Sequence, residues 1–415
     1  MNPAMEVKST RTSIPRSLLA ACVAIGGYLV ALPAERVRGA DKPTVAKAET
    51  HVFRPGTAEP TDERVAQLKL PPGFRIAKWA ERLGKPRMIT VGEDGTVYVS
   101  RRQPGDVLAL RDKDRDGKAE DVRTVANLPN AHGLAVRDGK FYVVTVKQLY
   151  VAPISADGSL GEPKQILGDL PDAGSHPNRT IAFGPDGMLY LSIGSPGNDP
   201  HLDREDYATL VRMKPDGSER KVFASGLRNT IGFGWHPKTG QLWGFDHDID
   251  NLGDDQPPEE LNRIEEGATY GFPYVWGDNQ INPVRDPTEK NLGTWQDWQK
   301  KSKPPVLMYT AHAAPIEMEF YKGGQFPPEY AGDAFVAMHG SWNRKTPSGY
   351  EVVRVRFDER GEPTKIEPFI TGFLVENNTK MIGRPCGLAV LKDGSLLVGD
   401  DSAGVIYRVT YEGGK

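Results

Sequence analysis

The sequence predicts an all-β fold, a six-bladed β-propeller of four-stranded antiparallel blades, on three observations. A phrase made of an apolar strand, an Asp-Gly turn and a second apolar strand recurs along the chain. A polar turn follows most copies, so each unit holds two hairpins and therefore four strands. No stretch shows sustained helical periodicity, whereas 45 glycines and 34 prolines supply the turn chemistry that many short strands need.

Basic residues (Lys8, Arg11, Arg16) precede the apolar run Leu18 to Leu32, and Gly39-Ala40 follow it. This pattern predicts a secretory signal over residues 1–40, hence an exported, periplasmic protein, with tethering through an uncleaved segment as the alternative. The run is short for a membrane span. Residues 41–70 are expected to form an extended polar lead-in and 71–415 the propeller.

"GFRIAKWA", Gly73 to Ala80, is placed to supply the strand that closes the ring with the last unit. The phrase then begins at Arg87, His132, Arg179 and Thr230, weakly at Glu329, and again at Cys386. Asp-Gly between alternating apolar residues is a strong hairpin signal, and repetition at blade-like spacing suits a propeller. A long insertion is expected between the fourth and fifth units, with Trp295 and Trp298 either covering the site or packing a loop.

Net charge is −3 with acids and bases interspersed, which argues against nucleic acid or an anionic membrane surface as the main partner. The chain has two cysteines, one of them inside the N-terminal apolar run, and no Cys-x-x-Cys-His. An exported chain would hold no internal disulfide and no attached c-type haem, so any electron chemistry passes to a separate acceptor.

In a propeller, the residues entering each innermost strand converge on one end of the channel. Here they are Arg87, His132, His176, Arg179, Arg228, Asn229, His312, His339 and Arg384. One such residue per blade serves pairing between blades equally well; several pointing inward make a well for an anionic ligand. The loop "GFDHDIDNLGDDQPP" carries Asp246, Asp248 and Asp250 on one face of an extended segment. It is either a cation site or a solvated loop. Asp112, Asp114 and Asp116 copy the first half of an EF-hand, with Glu120 or Asp121 to close a shorter loop, and form a candidate structural calcium site.

"SHPNRTIAFGPDGMLYLSIG", "ASGLRNTIGFGWHPKTGQLW", "PPEELNRIEEGATYGFPY", "HAAPIEMEFY", "GDAFVAMHGSWNR" and "GRPCGLAVLKDGSLLVGDD" carry a resemblance running from Leu70 to Tyr411. The chain resembles the soluble quinoprotein glucose/sorbosone dehydrogenases, nearer their sorbosone branch. The resemblance implies pyrroloquinoline quinone (PQQ) and Ca²⁺ as cofactors, a sugar or sugar-derived aldehyde as substrate, and a separate quinone or cytochrome as electron acceptor. Dimer formation is left open.

It assigns His176 as the base, against the plain reading of a hydrogen-bonded loop histidine, and Arg228 as the residue stabilising developing charge. Arg228, Asn229, Arg384, His339, Arg344 and Trp342 are the implied cofactor residues. His132 and Arg179 are the substrate candidates. Asp246, His247, Asp248, Asp250, Asp254 and Asp255 are candidate ligands of a channel calcium. Three departures from the family stand out: Pro177 after the histidine, no aligned lysine for a PQQ carboxylate, and no Gly-Pro near Asp248-Ile249. Two rival functions are a calcium-dependent propeller lactonase and a non-catalytic ligand-binding propeller.

Overall fold

In the structure, a computed structural model, residues 48–172 and 174–413 are described. The expected signal over 1–40 and the start of the lead-in lie outside them. No helix among the described residues is long and apolar enough to cross a membrane.

Six four-stranded antiparallel sheets dominate. The first comprises Ile89–Val91, Val97–Arg101, Asp106–Arg111 and Asp121–Asn127. The second runs from Leu134–Arg137 to Lys164–Leu167, and the third from Ile181–Phe183 to Lys221–Ser225. In the sixth, Phe74–Ala80 pairs antiparallel with Val405–Tyr411, so the start of the domain completes its last sheet. The first strands of all six sheets line one cavity of about 280 Å³, through residues such as Thr90, Ala135, Ile181, Phe233, Met318 and Leu388. Close approach between neighbouring first strands depends on missing side chains. A Cβ at Gly133 would lie 2.6 Å from the Arg179 carbonyl oxygen, and one at Gly387 2.4 Å from that of Arg87.

The Asp-Gly turns form as expected, in two ways. At Asp138-Gly139 both residues take positive φ (49° and 68°) between paired Arg137 and Lys140, the two-residue hairpin geometry. Elsewhere only the glycine does so. There the aspartate caps the turn instead, as where Asp94 Oδ1 accepts from Thr96 N at 3.0 Å and Asp186 Oδ1 from Met188 N at 3.0 Å.

Two expectations need correction. The fifth sheet begins at Pro315–Phe320 rather than near Glu329; a long connection with a 3₁₀ turn at Pro328–Tyr330 replaces the short hairpin. The insertion falls inside the fourth sheet, between Glu259–Arg263 and its outermost strand Leu307–Tyr309. It holds a hairpin (Val275–Trp276, Gln280–Ile281) and the helix Trp295–Lys301, started by a capping box from Thr294 and Asp297. Trp295 is buried with Nε1 on the Arg285 carbonyl, and Trp298 packs on Tyr274 at 4.6 Å. Both tryptophans pack the insertion.

The lead-in is more structured than an extended tail. It carries the short helix Asp62–Ala66, whose Val65 is buried, and a strand Gly56–Thr57 paired with Lys380–Met381.

Candidate functional site

The acidic loop directly follows the second strand of the fourth sheet, Leu242–Asp246, and reaches back to the Arg228-Asn229 turn. Asp246 is buried and makes that link. Its carboxylate accepts from Arg228 N (2.7 Å), Asn229 N (2.9 Å) and Thr230 Oγ1 (2.7 Å). Burial nonetheless raises its pKa to about 6, these hydrogen bonds opposing the rise. Asp246 is thus a fastener of the turn, a correction to its reading as a calcium ligand.

The turn so fixed presents a buried guanidinium. Arg228 donates through Nη2 to Asp250 Oδ2 at 2.9 Å, through Nε to the Asn198 carbonyl at 2.7 Å and through Nη1 to the His247 carbonyl at 3.1 Å. Around it a cavity of about 50 Å³ is lined by Asp248, Asp250, Glu259, His312, Trp342 and Asn343, among others. Glu259 is pushed up to about 8, by burial first and then by Asp248 and Asp250. Asp248 rises to about 7, mainly through burial and the neighbouring Asp246. Glu260 is also buried and raised, and accepts from Gly277 N. His247 faces the same cavity but sets Nε2 on the Pro315 carbonyl, and burial lowers its pKa to about 3.

Asp254 and Asp255 lie apart from that cavity, which corrects their assignment. Asp254 accepts from His51 N and Nδ1, both at 2.9 Å, and from Lys345 N, tying down the lead-in. Asp255 is exposed and pairs with Arg344 Nη2 at 2.6 Å. Arg344 is therefore committed to the loop and to the Ala311 carbonyl, not offered to a cofactor. The residue of "SWNR" that reaches inward is Asn343, 2% exposed, which donates to Asp250 Oδ1 at 3.1 Å and to His312 Nδ1 at 3.0 Å. Trp342 is 40% exposed at the rim, with Arg54 over its ring at 5.3 Å.

His176 leads into the third sheet. Its Nδ1 lies 2.8 Å from the Ser195 carbonyl, which can only accept, so Nδ1 carries the hydrogen and Nε2 the lone pair. Burial and then Arg228 lower its pKa to about 4, which keeps the imidazole neutral at neutral pH. A Cβ at Gly194 would stand 2.7 Å from His176 Cβ and 2.8 Å from Asn229 Oδ1, so glycine lets the two approach.

Arg179 is fully buried and donates to the carbonyls of His176 (3.0 Å) and Pro171 (2.9 Å). It shapes the histidine loop and cannot meet a substrate. His132, 1% exposed, has both nitrogens engaged: Nδ1 on the Arg179 carbonyl at 2.8 Å, and Nε2 accepting from Arg87 Nε at 3.4 Å. These two substrate assignments are corrected; both residues hold up others.

Arg87 was one of several phrase-opening cations in the sequence, and the structure makes it a hub. Asp401 Oδ2 accepts from its Nη1 at 2.7 Å, and Asp401 Oδ1 from His339 Nε2 at 2.8 Å. Burial alone would raise Asp401, but His339 and Arg87 hold it well below the usual carboxylate range. His339 falls to about 4 through burial, against the pull of Asp401. Arg384 donates to the carbonyls of His339 (3.1 Å) and Gly340 (2.6 Å). Beside this hub opens a larger cavity of about 510 Å³, lined by Lys85, Arg87, Arg102, Asn130, Asn178 and Asp401, among others.

The outer acidic loop brings Asp112, Asp114 and Asp116 within 4.8 Å of one another. Glu120 is not in the group: Oε1 accepts from Lys113 N at 2.8 Å.

Fit to the implied cofactors rests on donor chemistry. Asp248, Asp250 and Glu259 around a single arginine form a crowded oxygen set suited to a hard divalent cation. Arg102 Nε, a donor, and Asn178 Oδ1, an acceptor, are buried without hydrogen-bond partners beside Arg87, leaving polar capacity for a ligand that carries both negative charge and an O–H or N–H.

The TrAA12-like family description matches residues 68–412. An uncharacterized protein of Borreliella burgdorferi is 31% identical over 85% of this chain and 93% of its own length. A pyrroloquinoline quinone-dependent pyranose dehydrogenase of Coprinopsis cinerea is 23% identical over 87% of the chain, which spans 56% of that protein. Among solved structures, the iodide structure of a Trichoderma reesei Family AA12 enzyme superposes with a TM-score of 0.71 at 21% identity, over 83% of this chain and 97% of that one. The PQQ domain of the Coprinopsis cinerea pyranose dehydrogenase gives 0.70 at 20% identity, over 87% and 100%. This chain belongs to the TrAA12-like family, and the relatives and solved structures it resembles include PQQ-dependent sugar dehydrogenases.

Proposed function

We propose that the protein is an exported dehydrogenase that oxidises a sugar or sugar-derived aldehyde at the mouth of a six-bladed propeller, with PQQ and Ca²⁺ bound there, and hands electrons to a separate acceptor. The observation that carries this reading is the triple of His176, Arg228 and Asn229, brought together by Asp246 and Gly194. The relatives that bear PQQ-dependent names support it, and a calcium structure of the Trichoderma reesei enzyme, TM-score 0.70 at 20% identity, supports the cation.

When bound, PQQ supplies a two-electron acceptor for hydride leaving the sugar carbon, with Ca²⁺ polarising the accepting carbonyl. Asp248, Asp250 and Glu259 would hold the cation, and Arg228 and Asn229 the anionic quinone. The chain's own chemistry is proton removal. Neutral His176, its Nδ1–H fixed on Ser195, offers Nε2 to the substrate hydroxyl. Arg228 would set a fixed positive charge beside the hydride-accepting group, where negative charge develops.

The cation-rich side of the mouth argues against the lactonase rival, whose ester substrate needs no such set. The test is reconstitution of purified apo-protein with PQQ and Ca²⁺, followed by dye-linked assay of aldoses and sorbosone. Saturable, Ca²⁺-dependent PQQ binding with substrate-dependent dye reduction is expected. No PQQ binding at micromolar concentration overturns the proposal, and lactone hydrolysis without quinone supports the rival.

A further inference from the structure

We propose that the 510 Å³ cavity beside Arg87 is a carboxylate-binding pocket for the substrate, so that the preferred substrates are acidic sugars of the uronate type rather than neutral aldoses. This rests on the dehydrogenase reading and names the substrate class of that site.

The cavity gathers three cations, Lys85, Arg87 and Arg102, against one carboxylate, Asp401. Asp401 is already shared by Arg87 and His339 and has little left to neutralise a third charge. Arg102 has no hydrogen-bonded or ion-paired partner among the described residues, and its Nε is buried. Burial and the like charge of Arg87 both oppose its protonated form, so the fold holds two guanidiniums together at a cost. Lys85 is exposed at the rim and also lacks an ion-pair partner among the described residues. Such a set is satisfied by an anion with a planar oxygen pair, which an arginine binds as a fork. The buried, unpaired Asn178 Oδ1 adds an acceptor for a hydroxyl, so the ligand carries hydroxyls as well as charge. The volume falls in the range of small-molecule sites.

Position assigns the pocket to substrate. It is built by loops of the first, second, third and sixth sheets, and Asn178 in its lining lies two residues along the chain from His176. Arg228, Asn229 and the carboxylate set belong to the fourth sheet and its loops.

The test compares D-glucuronate with D-glucose, and D-galacturonate with D-galactose, on the PQQ- and Ca²⁺-loaded protein. KM for each uronate should be at least about tenfold below that of its neutral partner, as one charge-assisted contact implies. Arg102→Met and Lys85→Met should remove that gap and leave PQQ affinity, read by quinone absorbance, within about twofold. Calorimetry of glucuronate on the apo-protein, at low and high salt, should show binding that weakens with salt. Equal or better use of the neutral sugars overturns the inference. So does loss of PQQ affinity in Arg102→Met with the uronate gap intact, which gives the pocket to the cofactor's own carboxylates. If PQQ fails to bind the wild-type protein, the dehydrogenase reading falls, while the apo-protein calorimetry still decides the pocket.

Discussion

The two sides of the site mouth are charged in opposite senses, and each is crowded with its own sign. On the fourth sheet and its loops, Asp248, Asp250 and Glu259 surround one arginine. On the first and sixth, Lys85, Arg87 and Arg102 surround one carboxylate. Both groups raise the energy of the fold, since burial of like charges is opposed by desolvation and repulsion alike. Contrast Asp246, equally buried, whose oxygens take three hydrogen bonds from the neighbouring turn. Satisfied charges in this protein build loops. Crowded like charges face cavities, and their signs favour the proposed reading of a cation on one side and an anion on the other.

His176 stands between the two sides, and its loss should have the largest effect. His176→Gln is expected to lower kcat/KM by about two to four orders of magnitude, the usual worth of a positioned general base, with PQQ affinity little changed. In the wild type the lowered pKa, about 4, predicts a profile flat from pH 6 to 8 that falls only as the imidazole protonates below about 5. A profile breaking near 6.5 would show that neither burial nor Arg228 acts on the ring as described.

Arg228 comes next. Arg228→Met removes the one positive charge among the carboxylates and frees Asp250 and the Asn198 and His247 carbonyls. A loss of about two to three orders of magnitude in kcat is expected. Breaking a buried pair should also lower stability by about 3 kcal/mol. Urea unfolding beside the rate assay separates the two effects. Full activity in the variant would mean that the carboxylate side does not need its arginine.

Gly194→Ala tests the join between the sides without touching a charge. A Cβ there meets His176 Cβ at 2.7 Å and Asn229 Oδ1 at 2.8 Å, so one of them must move. Overpacking of this kind costs about 1–3 kcal/mol, and activity should fall by about tenfold while Ca²⁺ binding persists.

Hairpins with an Asp-Gly turn were legible because turn chemistry and period-2 alternation are local. The fifth sheet was not: Pro315–Phe320 ends in a long connection without that turn, so its start was placed too late. The same limit governs the site. His176 and the Arg228-Asn229 pair sit at strand entries that the repeat marks. Arg179 and His132 carry the same mark, yet point their polar atoms into backbone carbonyls, which no residue pattern reports. Glu259 and Asn343 line the cavity because strands and loops distant in sequence meet there, Glu259 Oε1 accepting from Ala314 N at 2.8 Å. Their only sequence signal was nearness to "DDQPP" and "SWNR". Arg102 had none, lying in the ordinary loop after Val97–Arg101.

The smallest effect expected is also the most direct measure of crowding on the acidic side. The folded pKa of Glu259 is raised from an ordinary 4.5 to about 8, so the folded state binds its proton more tightly than the unfolded chain. Its stabilising contribution is therefore complete below about pH 4.5 and is lost as pH rises toward 8. Asp248, raised to about 7, acts in the same direction. Apo-protein should thus lose thermal stability between pH 5 and 8, and Glu259→Gln should lose less. The glutamine keeps an acceptor for Ala314 N but no charge, so its midpoint should lie a few degrees above wild type at pH 8, by about the amount that relief of a buried like-charge contact gives. Added Ca²⁺ should reverse the order, because the wild type gains a ligand-linked increment that the variant largely lacks. A Glu259→Gln midpoint below wild type in apo-protein at pH 8 would show that the carboxylates there are not crowded, and would take the cation from that side of the mouth.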